Sequence, residues 1–583
     1  MRTQMLHLRR VDTRQLFQRT FAQSSAARSS ADFRSRPHLP FLYIPTTRPR
    51  VRYLTTERKA KLKYEIKVGI KYTGYFWIAG FCFFAIYFAI VEEKLERHYP
   101  SPHEWTYWTR VNFRGGHCAR YEPPPGKITD WKQVAWWAEK TLKRLEDPNI
   151  DGKDVKDAPH DCPPGTKDIS AKSEEWRRGY YETMILFAKA AEYMDGWVLD
   201  TKRNLTFPPG TMIGPSNPFP KPLPPGFKGA PREEDCVLRF EPPDSVYLRI
   251  LNTVGFNNRQ KIEAGIAYAS WLEYKGITGP ASIVYEDAVR LAASERTDLT
   301  VEPIDKKTWI LNEAAGPPSE NLLNALTAYA TFRARQGDVA SALPIFVSIL
   351  KARRSLQGEF SGPTSITASL RNQPSQPKGT WAWVRSILVP PAYPPPPPDG
   401  TAPPVRDAKA LCQEAALSLH IGEIMYTTPG VTGKASSSGR DHREEGLAWT
   451  REAVDIAEEQ LRKLGSSSAP GKPSETRVTC KECLATGLDN WSTMVSRLAK
   501  EERQKIKEEA ERKRKAKASS GWLGSLWGQG PAAVVESEEA ENTERVGRWG
   551  AEEKVIEERR KRVRELLEDL RPLPRGPLSW LQA

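Results

Sequence analysis

The sequence predicts an all-α protein: a single N-terminal transmembrane helix, then an interrupted array of helical repeats with long low-complexity loops. Three observations point there. Tyr72 to Val91 is a run of 20 residues without a charge. Two stretches near 262–293 and 321–355 share one spacing of small and bulky residues. Between such stretches lie segments dense in Pro, Ser and Gly.

The N-terminal elements come first. Residues 1–54 hold eleven arginines against Asp12 and Asp32, with Ser and Ala between, as in "AQSSAARSSA". Arg-rich, Ser-rich, acid-poor composition is that of a mitochondrial presequence, and no apolar core of a secretory signal precedes residue 72. Residues 55–71 form a basic flank with Lys59, Lys61, Lys63, Lys67 and Lys71. The run from Tyr72 to Val91, at about 1.5 Å per residue, reaches about 30 Å, a hydrocarbon core. Glu92 and Glu93 follow it. Positive charge resists translocation, so the flank is expected in the matrix and residues 92–583 in the intermembrane space, a single-pass protein of the mitochondrial inner membrane.

Charge narrows the function classes. The chain carries a net +15, but residues 1–71 hold 17 Lys and Arg against 4 Asp and Glu, leaving +2 for the other 512 residues. A nucleic-acid binder needs a clustered basic surface, so nucleic acid is not an expected partner. The one dense basic stretch, "RQKIKEEAERKRKAK" at 503–517, interleaves Glu and reads as a solvated helix.

Residues 92–244 predict a helical N-terminal part of the soluble region. "WKQVAWWAEKTLKRLE" and "SEEWRRGYYETMILFAKAAEYMDG" show helical spacing, and "PPDSVYLRILNTVG" starts another helix with Asp244 as its cap.

Residues 245–571 predict a repeat domain. A period near 34 residues with small residues where paired helices touch is the tetratricopeptide (TPR) pattern. In the first unit Tyr268, Ala269 and Leu272 fill the first helix, Gly276 the turn, and Ala281, Tyr285 and Ala288 the second helix. Gly265 replaces the expected Trp. In the second unit Tyr329 and Ala330 precede the Gly337 turn, then Ala342 and Phe346, with Arg333 and Ile349 as departures. A third unit is read as split over 407–463, with Gly446, Thr450 and Ala453 in its second helix, and a fourth region over 477–571 carries a terminal capping helix. Insertions 356–406, 427–442, 464–475 and 516–543 are expected to be disordered, like the Pro-dense stretch 199–232. Two of them hold apolar islands, "WAWVRSILV" at 381–389 and "GWLGSLWG" at 521–528.

Chemistry is sparse. "GVTGKAS" at 430–436 has its glycines too close for a phosphate loop, and Ala435 where Mg²⁺ needs a hydroxyl. His98, His103, His117 and Cys118 fit no standard ligand set, and Cys480 and Cys483 have no second pair nearby for zinc. No catalytic residue, cofactor or metal is expected, and the chain reads as non-enzymatic.

With the span, "HYPSPHEW" and "ILNTVGFNNRQKIEAGIAYASWLEYKG" in view, the chain resembles the fungal TPR-containing adaptor subunit of the mitochondrial inner-membrane i-AAA protease complex. The resemblance is clearest over 72–355. It implies an adaptor that binds unfolded or misfolded clients in the intermembrane space and delivers them to a membrane-bound AAA protease, beside that protease's other adaptor subunit. The client groove is expected along the first helix of each unit: Ile266, Ser270, Glu273 and Tyr274, then Asn324, Thr327, Thr331 and Arg335. Two alternatives remain. One is an outer-membrane TPR receptor docking chaperones or precursors, whose acid clamp would need Lys and Asn where Ile266 and Ser270 stand. The other is a structural inner-membrane scaffold.

Overall fold

The uncharged run lies inside a longer helix. The computed structural model describes residues 56–567 apart from 124–125, 160–161, 224–225, 227–228, 296–300, 357–392, 429–438, 466–474 and 521–546. The presequence, most of the insertions and both apolar islands lie outside the described residues. Helix α1, Thr56–His98, adds turns rich in Lys, Arg and Glu, all good helix formers, at both ends of the run. Among the described residues it is the one helix long and apolar enough to cross a membrane. Contacts divide the chain after Ile86 into two units, and the larger is the second.

That unit holds the last turns of α1 and helices α2 Tyr107–Tyr121, α3 Trp131–Glu146, α4 Glu174–Tyr193, α5 Pro243–Asn252, α6 Asn258–Tyr274 and α7 Thr278–Ser294. Then follow α8 Glu320–Arg335, α9 Val339–Arg354, α10 Ala408–Thr427, α11 Gly439–Gly465, α12 Glu475–Ser520 and α13 Arg548–Leu567. From α2 onward each helix packs on the next, and α6 also touches α4 and α8. Side chains start many of them: Asp130, Ser173, Asn257, Ser319, Asp338 and Asp407 each accept a first-turn amide. Such caps stabilise by about 1 kcal/mol each. Asp244 is not one. Helix α5 begins at Pro243, and the Asp244 carboxylate instead takes the Tyr268 hydroxyl at 3.0 Å.

The acidic end of α1 has a packing role. Glu96 is buried, accepts the Ser101 amide at 3.1 Å, and pairs with Arg110 at 3.1 Å and with Arg114. Glu92 takes Arg114 at 2.5 Å. A buried guanidinium needs such partners, so the carboxylates that mark the end of the run also hold α2.

The structure corrects the all-α expectation. It is mostly helical, yet β1 Lys156–Asp157 pairs with β2 Lys167–Asp168. The strand β3 Val198–Asp200 lies between β4 Leu205–Phe207 and β5 Cys236–Leu238, all antiparallel. Residue spacing does not reveal these because each strand is only two or three residues long.

The expected helix contacts are buried. Ala269, Ala281, Ala330, Ala342 and Phe346 have no exposed surface, and Tyr268, Leu272, Tyr285 and Ala288 are nearly as covered. The turns after α6 and α8 match bond for bond: the amides of Gly276 and Ile277 reach Glu273 and Leu272, and those of Gly337 and Asp338 reach Ala334 and Arg333. Both are Schellman closures, with Gly276 and Gly337 left-handed at φ 78° and 85°. Arg333 bonds the Tyr329 hydroxyl at 2.9 Å and Asp338 at 2.7 Å, and Ile349 is fully buried.

Helix α10 joins two cores. Leu417, Ile421 and Ile424 face the first, while Cys412, Ala415, Leu419 and Tyr426 face the second. A disulfide from Cys412 to Cys480 ties α10 to α12, with an S–S length of 1.99 Å. Cys480 therefore pairs with a residue 68 positions away and not with Cys483, which is a buried free thiol. The C-terminal part of insertion 356–406 is also placed: residues 393–406 run as an extended segment against the N-terminal ends of α4, α6 and α8.

Candidate functional site

The residues expected to line the groove separate into two groups. On α6, Glu273 is the centre of a polar cluster. It accepts the Tyr285 hydroxyl at 3.4 Å and lies 3.6 Å from Arg335 of α8. This ion pair joins the first helices of the two units. Tyr274, the next residue, is 86% exposed, and Ser270, one turn earlier on α6, is exposed as well. Ser270, Tyr274 and Arg335 are thus exposed around Glu273, whose own side chain is mostly covered.

The other group belongs to packing. Ile266 is half-buried against the first core. Thr327 and Thr331 turn their hydroxyls to carbonyls of their own helix, at 2.6 and 2.8 Å. The Asn324 carbonyl accepts from Arg353 at 3.3 Å, and Arg353 also donates to Gln413 at 2.8 Å. Burial pushes the Arg353 guanidinium below its ordinary value, partly offset by Glu320 and Glu414. Asn324 therefore serves the seam between α8, α9 and α10.

Near the face shared by α6 and α8 lies a half-buried residue that sequence reading missed. His420 on α10 stacks on Phe346 with ring centroids 5.3 Å apart. Partial burial, and then the positive charge of Arg335, hold its imidazole below the usual histidine value. The signal was available, since His420 lies on the first helix of the split third unit.

No family model, curated protein or solved structure matches this chain. The face offers an aromatic ring, a guanidinium and a carboxylate over two helices, groups able to contact polypeptide of mixed polarity. A cleft of about 740 Å³ lies elsewhere, at the ends of α7 and α9 beside Pro303, Pro317, Leu356 and Pro403. None of the expected groove residues lines it, and its Glu313 and Lys351 pair with each other at 2.6 Å. Among the described residues no group of three His, Cys, Asp or Glu could hold a metal ion.

Proposed function

We propose that this chain is a non-enzymatic adaptor of the mitochondrial inner membrane, anchored by α1, whose TPR-like array holds unfolded clients in the intermembrane space and delivers them to the i-AAA protease. The observation that carries the reading is the face shared by α6 and α8. Glu273, Tyr274 and Arg335 lie on the first helices of two successive units, an ion pair joins them, and the turns after α6 and α8 repeat bond for bond. Helices paired in this way and packed in sequence support a solenoid reading, and a solenoid offers extended surfaces to extended ligands.

Two further observations support the compartment. One apolar helix behind a basic flank fits a stop-transfer anchor. The disulfide between Cys412 and Cys480 fits an oxidising space, since reducing compartments keep thiols free.

The test is a combined Tyr274→Ala and Arg335→Gln variant at normal abundance. Arg335→Gln removes the charge without setting a second acid beside Glu273. Client half-lives in the intermembrane space should lengthen severalfold while the variant stays folded and anchored. Unchanged half-lives would remove the face from the mechanism.

A further inference from the structure

Three alternate helices present their N-terminal ends to one extended segment, and each grips its main chain. Arg178 of α4 donates to the carbonyls of Pro394 and Pro395 at 3.2 and 3.1 Å. Arg259 of α6 donates to the carbonyl of Pro398 at 2.7 Å. Asn321 of α8 donates its side-chain amide to Asp399 at 2.9 Å and its backbone amide to Gly400 at 3.1 Å. A proline run has no N–H to pair, and polyproline II leaves its carbonyls open to such donors.

The spacing fits as well. At about 3.1 Å per residue, Pro394 to Asp399 spans about 16 Å. Two steps between packed helices, at 8–10 Å each, come to about 16–20 Å. The gripping side chains are themselves held: Glu182 fixes Arg178 at 3.2 Å and Glu263 fixes Arg259 at 2.9 Å. Arg178 also covers the Tyr393 ring at 5.3 Å. Beside the segment lies a cleft of about 580 Å³ whose lining includes Tyr181 and Phe256. Aromatic rings beside a proline segment are the general device for reading polyproline II.

We propose that this rim is a recognition site for proline-rich polypeptide, occupied here by the chain's own Tyr393–Gly400, and that its ligand in trans is an aromatic-led proline run of a partner protein. The grips read main-chain carbonyls and one aromatic ring, so nothing in them is particular to this chain. Pro395 to Asp399 are exposed, so little burial holds the segment in place. A tethered segment competes at a high effective concentration, so it weakens binding in trans without closing the site. The proposal does not rest on the adaptor reading, because binding is read without protease or client.

The test uses the full-length chain in detergent and a fluorescein-labelled peptide, Tyr-Pro-Pro-Pro-Pro-Pro-Asp-Gly. A variant with Pro395, Pro396, Pro397 and Pro398 all changed to Ser should bind the peptide at least tenfold more tightly than the parent. Adding Arg178→Ala and Arg259→Ala should reverse that gain, and a peptide with Ser in place of every Pro should not bind. A milder variant, Tyr393→Ser, removes only the ring under Arg178 and should tighten binding about threefold, so the proposal stays testable if the quadruple change misfolds. No gain in either variant, or binding indifferent to Arg178 and Arg259, overturns the site. Binding that appears only when the parent chain dimerises would mean exchange of the segment between copies, and overturns the partner-protein ligand.

Discussion

Gly265 stands in mid-helix where a larger residue was expected. A Cβ there would meet Ala288 at 3.6 Å and Leu251 at 3.8 Å, ordinary contact distances. Alanine also removes the backbone freedom that glycine loses on folding. Gly265→Ala should therefore stabilise the soluble unit by about 0.5–1 kcal/mol, read as a higher melting temperature. His420 makes a second residue-level case. Its folded pKa lies below the unfolded value near 6.5, so below that pH the unfolded chain binds more protons than the folded one. Stability from this group is complete above about pH 6.5 and falls as the pH drops toward the folded pKa. Denaturant melts between pH 7.5 and 5.5 should show that slope, and His420→Gln should flatten it. Arg335→Gln should raise the His420 pKa in an NMR titration, since the Arg335 charge is one of its two causes.

At the scale of elements, α10 and α11 cross closely at a pair of glycines. A Cβ on Gly446 would come within 2.6 Å of the Gly422 carbonyl, and one on Gly422 within 2.7 Å of the Gly446 carbonyl. Those contacts are with backbone and cannot rotate away, so Gly446→Ala should cost about 1–3 kcal/mol. The same logic, with side-chain neighbours, applies to Ala281→Leu and Ala342→Leu, both at fully buried positions. Thermal melts that match the parent would place these helices wrongly. The disulfide supports the same region, since closing a 68-residue separation is worth about 4 kcal/mol in the chain-entropy model. Cys412→Ser should lower the melting temperature markedly. Alkylation of mitochondrial protein without reductant should spare Cys412 and Cys480, and modification of either would contradict the bond.

Much of this was legible in the sequence, and the failures share a cause. Ala269, Ala281, Ala330 and Ala342 were readable because local spacing decides which residues meet between adjacent helices. Asn324 was misread because its partner Arg353 lies on another helix, and spacing carries no information on who bonds whom. The bond from Cys412 to Cys480 was not legible either: Cys483 is near Cys480 in sequence, but Cys412 is near it in space. The segment 393–406 read as loop because a proline run has no periodicity, and its order comes from Arg178, Arg259 and Asn321 far away in the chain.

For the whole molecule, topology comes before partnership. With the outer membrane ruptured, added protease should digest residues 92–583, and with it intact it should not. Digestion in intact mitochondria would favour the outer-membrane receptor. The most direct test of the adaptor reading is isolation of the endogenous chain from mitochondria after mild cross-linking, with its partners identified by mass. The account expects the membrane-bound AAA protease and unfolded intermembrane-space polypeptides to be recovered together, with the polypeptides, but not the protease, reduced in the Tyr274→Ala, Arg335→Gln variant. Recovery of import channels and cytosolic chaperones in place of the protease would contradict it.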